Sequence, residues 1–66
     1  MKYMLIREYF SGKTLMKKKL NAKCQSASLS YAVENGRMVV RDYHTNSVLQ
    51  TFKTPTASIE FEIVHG

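Results

Sequence analysis

From Leu29 onward the chain alternates apolar and polar positions with a period of two, and turn-forming pairs cut that alternation into short lengths. The turn signals are Ser11-Gly12, Asn35-Gly36, Thr45-Asn46 and Thr54-Pro55-Thr56, the last three about ten residues apart. β-branched and aromatic residues fill the intervals, which predicts a run of short antiparallel strands.

The Asn35-Gly36 pair carries the most information, because a two-residue type I′ loop needs positive φ at both positions and Asn-Gly tolerates this best. Counting outward sets Glu34 opposite Arg37, Val33 opposite Met38, Ala32 opposite Val39, Tyr31 opposite Val40 and Ser30 opposite Arg41. Leu29, Tyr31, Val33, Met38 and Val40 then share an apolar face, and Ser28, Ser30, Glu34, Arg37 and Arg41 share a polar one. Glu34 and Arg37 are expected to close the turn with opposite charges.

A second hairpin is predicted through Asp42 to Ser47, with Asp42 accepting hydrogen bonds from the turn backbone and Asn46 in a left-handed conformation. Its loop length is ambiguous, so the pairing of Val39–Tyr43 with Val48–Phe52 stays open; one residue of slip exchanges the faces. Pro55 ends that strand, and Ile59-Glu60-Phe61-Glu62-Ile63 alternates as a last strand with Ile59, Phe61 and Ile63 inward.

The first 25 residues are less regular. Lys2 to Phe10 has enough Tyr, Ile and Phe for a strand. Leu15 to Gln25 contains good helix formers and no β-branched residue, yet lysines around a first helical turn would oppose the helix dipole. Met16, Leu20, Ala22 and Cys24 alternate as in a strand, with Lys18 the exception. The reading adopted is all-β, a small antiparallel meander or half-barrel of five to six short strands. The alternative is α+β, with one short helix at about 13–25 packed on a four- to five-stranded antiparallel sheet.

Sixty-six residues leave room for a single domain, 1–66, whose core is small enough for a partner subunit to matter. With one cysteine, Cys24, an internal disulfide is ruled out; a free thiol suits a reducing compartment, and the expected location is cytoplasmic. No apolar run approaches the length of a membrane span or a signal-peptide core, so no membrane role is expected.

Charge changes the picture more than size does. The net charge is +5, but residues 1–25 hold Lys2, Arg7, Lys13, Lys17, Lys18, Lys19 and Lys23 against Glu8 alone. The remainder is slightly acidic, with Arg37, Arg41 and Lys53 against Glu34, Asp42, Glu60 and Glu62. Such asymmetry points to a polyanionic partner; the competing use of an edge rich in lysine is to block strand-to-strand aggregation.

No catalytic or metal-binding set emerges. His44 lies in a turn and His65 near the end of the sequence, Cys24 reads as a small buried residue, and Gly12-Lys13-Thr14 lacks the upstream glycine of a phosphate loop. Ser26, Ser28 and Ser30 recur at strand spacing and read as a polar outer face. The expectation is therefore no enzyme, no cofactor and no metal.

Candidate nucleic-acid-binding residues are Lys13, Lys17, Lys18, Lys19, Lys23, Arg41 and Tyr43, with Tyr3, Tyr9 and Phe10 as further rings beside the lysines. Two functions follow as expectations: a basic accessory or regulatory protein that holds nucleic acid by its phosphate backbone with low sequence specificity, or a protein-interaction module. The latter would be a homodimer or an inhibitor of an acidic partner protein, docking by an exposed strand edge.

Overall fold

A computed structural model describes residues 1–55 and 58–66. The elements are β1 (Lys2–Glu8), β2 (Thr14–Lys19), α1 (Ala22–Gln25), β3 (Leu29–Glu34), β4 (Arg37–Asp42), β5 (Val48–Lys53) and β6 (Ile59–His65). They make two antiparallel three-stranded sheets, ordered β2-β1-β6 and β3-β4-β5. The fold is all-β with a minor helix. By their contacts the residues group into two compact units, Met1–Leu20 with Pro55–Gly66, and Asn21–Thr54.

In the first unit β1 is the central strand. Met4 and Ile6 are fully buried on one of its faces, which they share with Met16 of β2 and with Phe61 and Ile63 of β6 through the registers Ile6–Met16, Met4–Ile63 and Ile6–Phe61. Lys18 stands opposite Met4, the one polar interruption on that face of β2. Ile6 faces Met16 while Arg7 faces Thr14, so Leu15 is the extra residue of a β-bulge. The loop that joins β1 to β2 is tied by Glu8 N–H to Lys13 C=O at 2.8 Å and Gly12 N–H to Glu8 C=O at 2.9 Å. Gly12 takes φ +71°, and the Ser11 hydroxyl donates to the Glu8 carboxylate at 2.8 Å while accepting from Lys13 N–H at 3.2 Å. The Ser11-Gly12 signal thus marks a real hairpin turn.

Residues 13–25 combine both expected structures. The chain runs as β2 to Lys19, Leu20 N–H bonds back to the Lys2 carbonyl at 3.2 Å, and a single helical turn follows. Asn21 starts that turn as an N-cap, its side-chain oxygen accepting from Cys24 N–H at 3.1 Å. Leu20 and Cys24 are buried, whereas Ala22 is exposed, because the alternation of a strand ceases at Leu20.

In the second unit the β3–β4 register matches the count from Asn35-Gly36 at every pair from Glu34–Arg37 to Ser30–Arg41. Asn35 and Gly36 have φ +52° and +74°, as a type I′ turn requires. The side chains depart from expectation in one respect. Glu34 bonds both guanidinium nitrogens of Arg41 rather than Arg37, and Arg37 donates to the Thr51 hydroxyl at 3.4 Å. One residue pair on this face, Ala32–Val39, lies between Glu34 and Arg41, and their bridge spans it; Val39 is buried although it lies on the polar face.

Between β4 and β5 the register pairs Met38 with Phe52 and Val40 with Gln50, then shifts at Arg41 opposite Val48. That bulge defeats any register counted from the turn. Phe52 joins Met38 and Val40 among the buried residues. The turn itself is built as its sequence implies: the Asp42 carboxylate accepts from His44 N–H at 2.8 Å and Thr45 N–H at 3.1 Å, and Asn46 has φ +63°. The signal at Thr54-Pro55-Thr56 falls partly on Thr56, outside the described residues; β5 ends at Lys53, just before it.

Candidate nucleic-acid interface

The β1–β2 hairpin gathers four of the seven candidate residues. Alternation along β2 puts Lys17 and Lys19 on one face, opposite Leu5 and Tyr3 of β1, while Lys18 points to the other. Lys13 closes the hairpin loop. All four lysines are exposed, and among the described residues none pairs with a carboxylate. Arg7 on β1 holds Glu62 at 2.7 Å and lies 4.0 Å from Glu60, so its single positive charge offsets part of the acidity of β6. The lysines of β2 keep their positive charge available to solvent or a ligand.

Rings frame the same hairpin. Tyr9 and Phe10 occupy its loop, 64% and 84% exposed, and meet edge to face with centroids 5.4 Å apart. Loop geometry explains this exposure: Tyr9 N–H is fixed to the Ser58 carbonyl at 2.9 Å, and the backbone bonds of Glu8 with Gly12 and Lys13 close a turn whose side chains point away from the ladder. An apolar ring left in water is unfavourable by its unburied area, on the order of 1.5–3 kcal/mol for a whole Phe side chain. The Tyr3 ring is differently used, since Lys17 Nζ sits 4.6 Å from its centroid in a cation–π contact and occupies that ring face.

The other three candidates lie in the second unit. Lys23 is exposed in the last turn of α1. Arg41 is bound to Glu34 and its charge is largely compensated there. Tyr43, 67% exposed, stacks edge to face on His44 in the β4–β5 turn. Of the serines, Ser26 is the C-cap of α1, Ser28 accepts Tyr43 N–H on its carbonyl at 2.8 Å, and Ser30 lines a depression of about 250 Å³ with Ala32, Val39, Arg41 and Asn46. They do not form one hydroxyl row. Composition alone does not mark Tyr9 and Phe10 as outward-facing; the signal that does is their place immediately before Ser11-Gly12, in the loop rather than in a strand.

The Asp42 carboxyl is more acidic than an ordinary one. Backbone N–H donors from Thr45 and then His44 hold its carboxyl below the usual carboxylate range, with the nearby His44 ring acting in the same sense. These bonds commit Asp42 to shaping the turn. No helix is long and apolar enough to cross a membrane among the described residues. The chain matches no family model, no curated protein and no solved structure, so a reading of the hairpin rests on its own charge and geometry.

Proposed function

We propose that this chain is a small cytoplasmic accessory protein that binds nucleic acid through its phosphate backbone, with low sequence specificity and without catalysis of its own. The observation that carries this reading is the β1–β2 hairpin, where Lys17 and Lys19, neither bound to a carboxylate, stand on one face of an outer strand and exposed Tyr9 and Phe10 crown its loop. Lysines on the backbone and rings under the bases are the two elements by which proteins hold single strands. Phosphate neutralisation carries no sequence information, hence the low specificity. The free thiol of Cys24 is at home in a reducing compartment.

The test is a fluorescence-anisotropy titration with a labelled single-stranded oligonucleotide over a range of salt. If Lys13, Lys17 and Lys19 each displace one counterion from a single strand, log affinity falls against log salt with a slope of roughly −2. Replacing Lys17 and Lys19 with Gln flattens the slope by about 1.4 and weakens all sequences alike. Phe10→Ala weakens binding by about 1–3 kcal/mol if a base stacks there. Arg41→Gln leaves the slope unchanged, because Glu34 already compensates that charge. Absence of binding at low salt, or binding indifferent to all of these lysines, removes the nucleic-acid reading and leaves the protein-partner one.

A further inference from the structure

The two sheets have four outer strands, and three of them carry protection against pairing with another chain. β2 presents Lys17, Lys18 and Lys19 in succession, and β6 presents Glu60 and Glu62. A second copy aligned on either strand would meet like charge. On β5 the outward carbonyl of Leu49 accepts from the Asn21 side chain at 2.8 Å, and Lys53 ends the strand.

β3 is different. Its sequence, Leu-Ser-Tyr-Ala-Val-Glu, has no charge before its last residue and is rich in residues that favour strands. Tyr31 and Val33 are 39% and 45% exposed. The direction of its free backbone groups follows from the bonds it makes. Tyr43 N–H reaches the Ser28 carbonyl, so Ser28, Ser30, Ala32 and Glu34 turn their backbone groups toward β4. Leu29, Tyr31 and Val33 turn theirs outward, toward no strand of the described chain.

We propose that β3 is a self-pairing edge, on which a second copy of this chain docks antiparallel and joins two three-stranded sheets into one continuous sheet. The two-fold axis passes by Tyr31. In that register Tyr31 faces the Tyr31 of the second copy, Leu29 faces Val33, and Ala32 faces Ser30. The N–H and C=O groups of Leu29, Tyr31 and Val33 exchange hydrogen bonds across the junction. The two Tyr31 rings form an aromatic cross-strand pair, and Glu34 meets Ser28, so no like charges oppose each other anywhere along the strand. The residues of this interface lie in the second unit and those of the lysine-bearing hairpin in the first.

The experiment is sedimentation equilibrium of the full chain without nucleic acid, from micromolar to millimolar concentration. The weight-average mass should rise toward twice 7.6 kDa. Tyr31→Lys and Tyr31→Glu, each alone, place like charges at the axis and weaken self-association by roughly tenfold or more. An equimolar mixture of the two restores it, because opposite charges then face each other, and a variant that had merely failed to fold would not be rescued. As a second measurement, Tyr31→Cys should be joined into a covalent dimer by a short bis-maleimide, since directly opposed Cα atoms in such a pair are about 5.5 Å apart. Lys17→Cys, on the β2 edge, should not be. A chain that stays monomeric at millimolar concentration overturns the proposal, as does a dimer that survives both charge variants, a mixture that fails to re-associate, or cross-linking through Lys17→Cys in preference to Tyr31→Cys.

Discussion

Substituting Gly36 tests the turn on which the second unit depends. Gly36 has φ +74°, and a Cβ built there meets nothing within 4 Å, so the penalty for alanine is purely conformational. A left-handed residue other than glycine costs about 1–2 kcal/mol, and the reduced freedom of the unfolded chain returns about 0.4–1 kcal/mol of this. Gly36→Ala should therefore destabilise by about 0.5–1 kcal/mol. Valine is worse, because a β-branched residue at positive φ is a genuine outlier. The Gly36 carbonyl also accepts from the buried Thr54, at 3.2 Å from its hydroxyl and 3.5 Å from its N–H, so a turn pushed out of shape loosens the end of β5 as well. With part of a buried hydrogen bond added, Gly36→Val should cost about 2 kcal/mol. For a chain of this size that lowers Tm by about 10 °C, at roughly 4–8 °C per kcal/mol. Far-UV circular dichroism with heating, supported by urea unfolding, reads the effect, with Asn35→Gly as a near-neutral control. Melting of Gly36→Val within a degree or two of the parent would refute the assignment of a left-handed residue at this position.

Two further expectations concern single side chains. Cys24→Ser replaces a buried thiol, which donates to the Gln50 side chain at 3.8 Å, with a more polar hydroxyl; it should lower stability by about 1 kcal/mol in urea unfolding while leaving oligonucleotide affinity unchanged. Asp42 has a folded-state pKa below its unfolded one, so its contribution is present above the unfolded value near 3.8 and is lost as pH falls through the lower folded value. A Tm profile taken from neutral to strongly acid pH should fall less steeply for Asp42→Asn than for the parent in that window, and parallel profiles would show that the backbone bonds from Thr45 and His44 do not favour the carboxylate.

How far the sequence reveals this fold depends on whether a local rule fixes the count. The Asn35-Gly36 loop admits one geometry, so the pairs from Glu34–Arg37 outward follow by arithmetic. The roles of Asp42 and Asn46 are equally local. The β4–β5 register is not, because the shift at Arg41 inserts an offset that no alternation announces. Residues 13–25 read both ways because they divide in fact: lysine-rich Thr14–Lys19 extends, and Asn21, a good N-cap before helix formers, turns the chain. At the candidate site the faces of Lys17, Lys18 and Lys19 follow from strand alternation. The engagement of Arg41 by Glu34 does not, since it is diagonal rather than directly across. On composition a chain this small needs most of its rings for the core, and the closure of the loop between Glu8 and Lys13 turns Tyr9 and Phe10 out.

The pairing of β1 with β6 has a consequence for the order in which the chain folds. Glu8 meets Ile59 and Lys2 meets His65 across almost the whole sequence, whereas every pair in β3-β4-β5 is between neighbours along the chain. Non-local pairing must first close a long loop, and that entropy is spent before any contact compensates for it. The segment Asn21–Thr54 is contiguous and lies wholly within that loop. Once it has folded, the slack between β1 and β6 is shortened to the short connections on either side. The inner unit is thus expected to act as the kinetic template for the outer one: slowing its hairpins should slow the appearance of the β1–β6 ladder, whereas weakening β6 should chiefly speed unfolding.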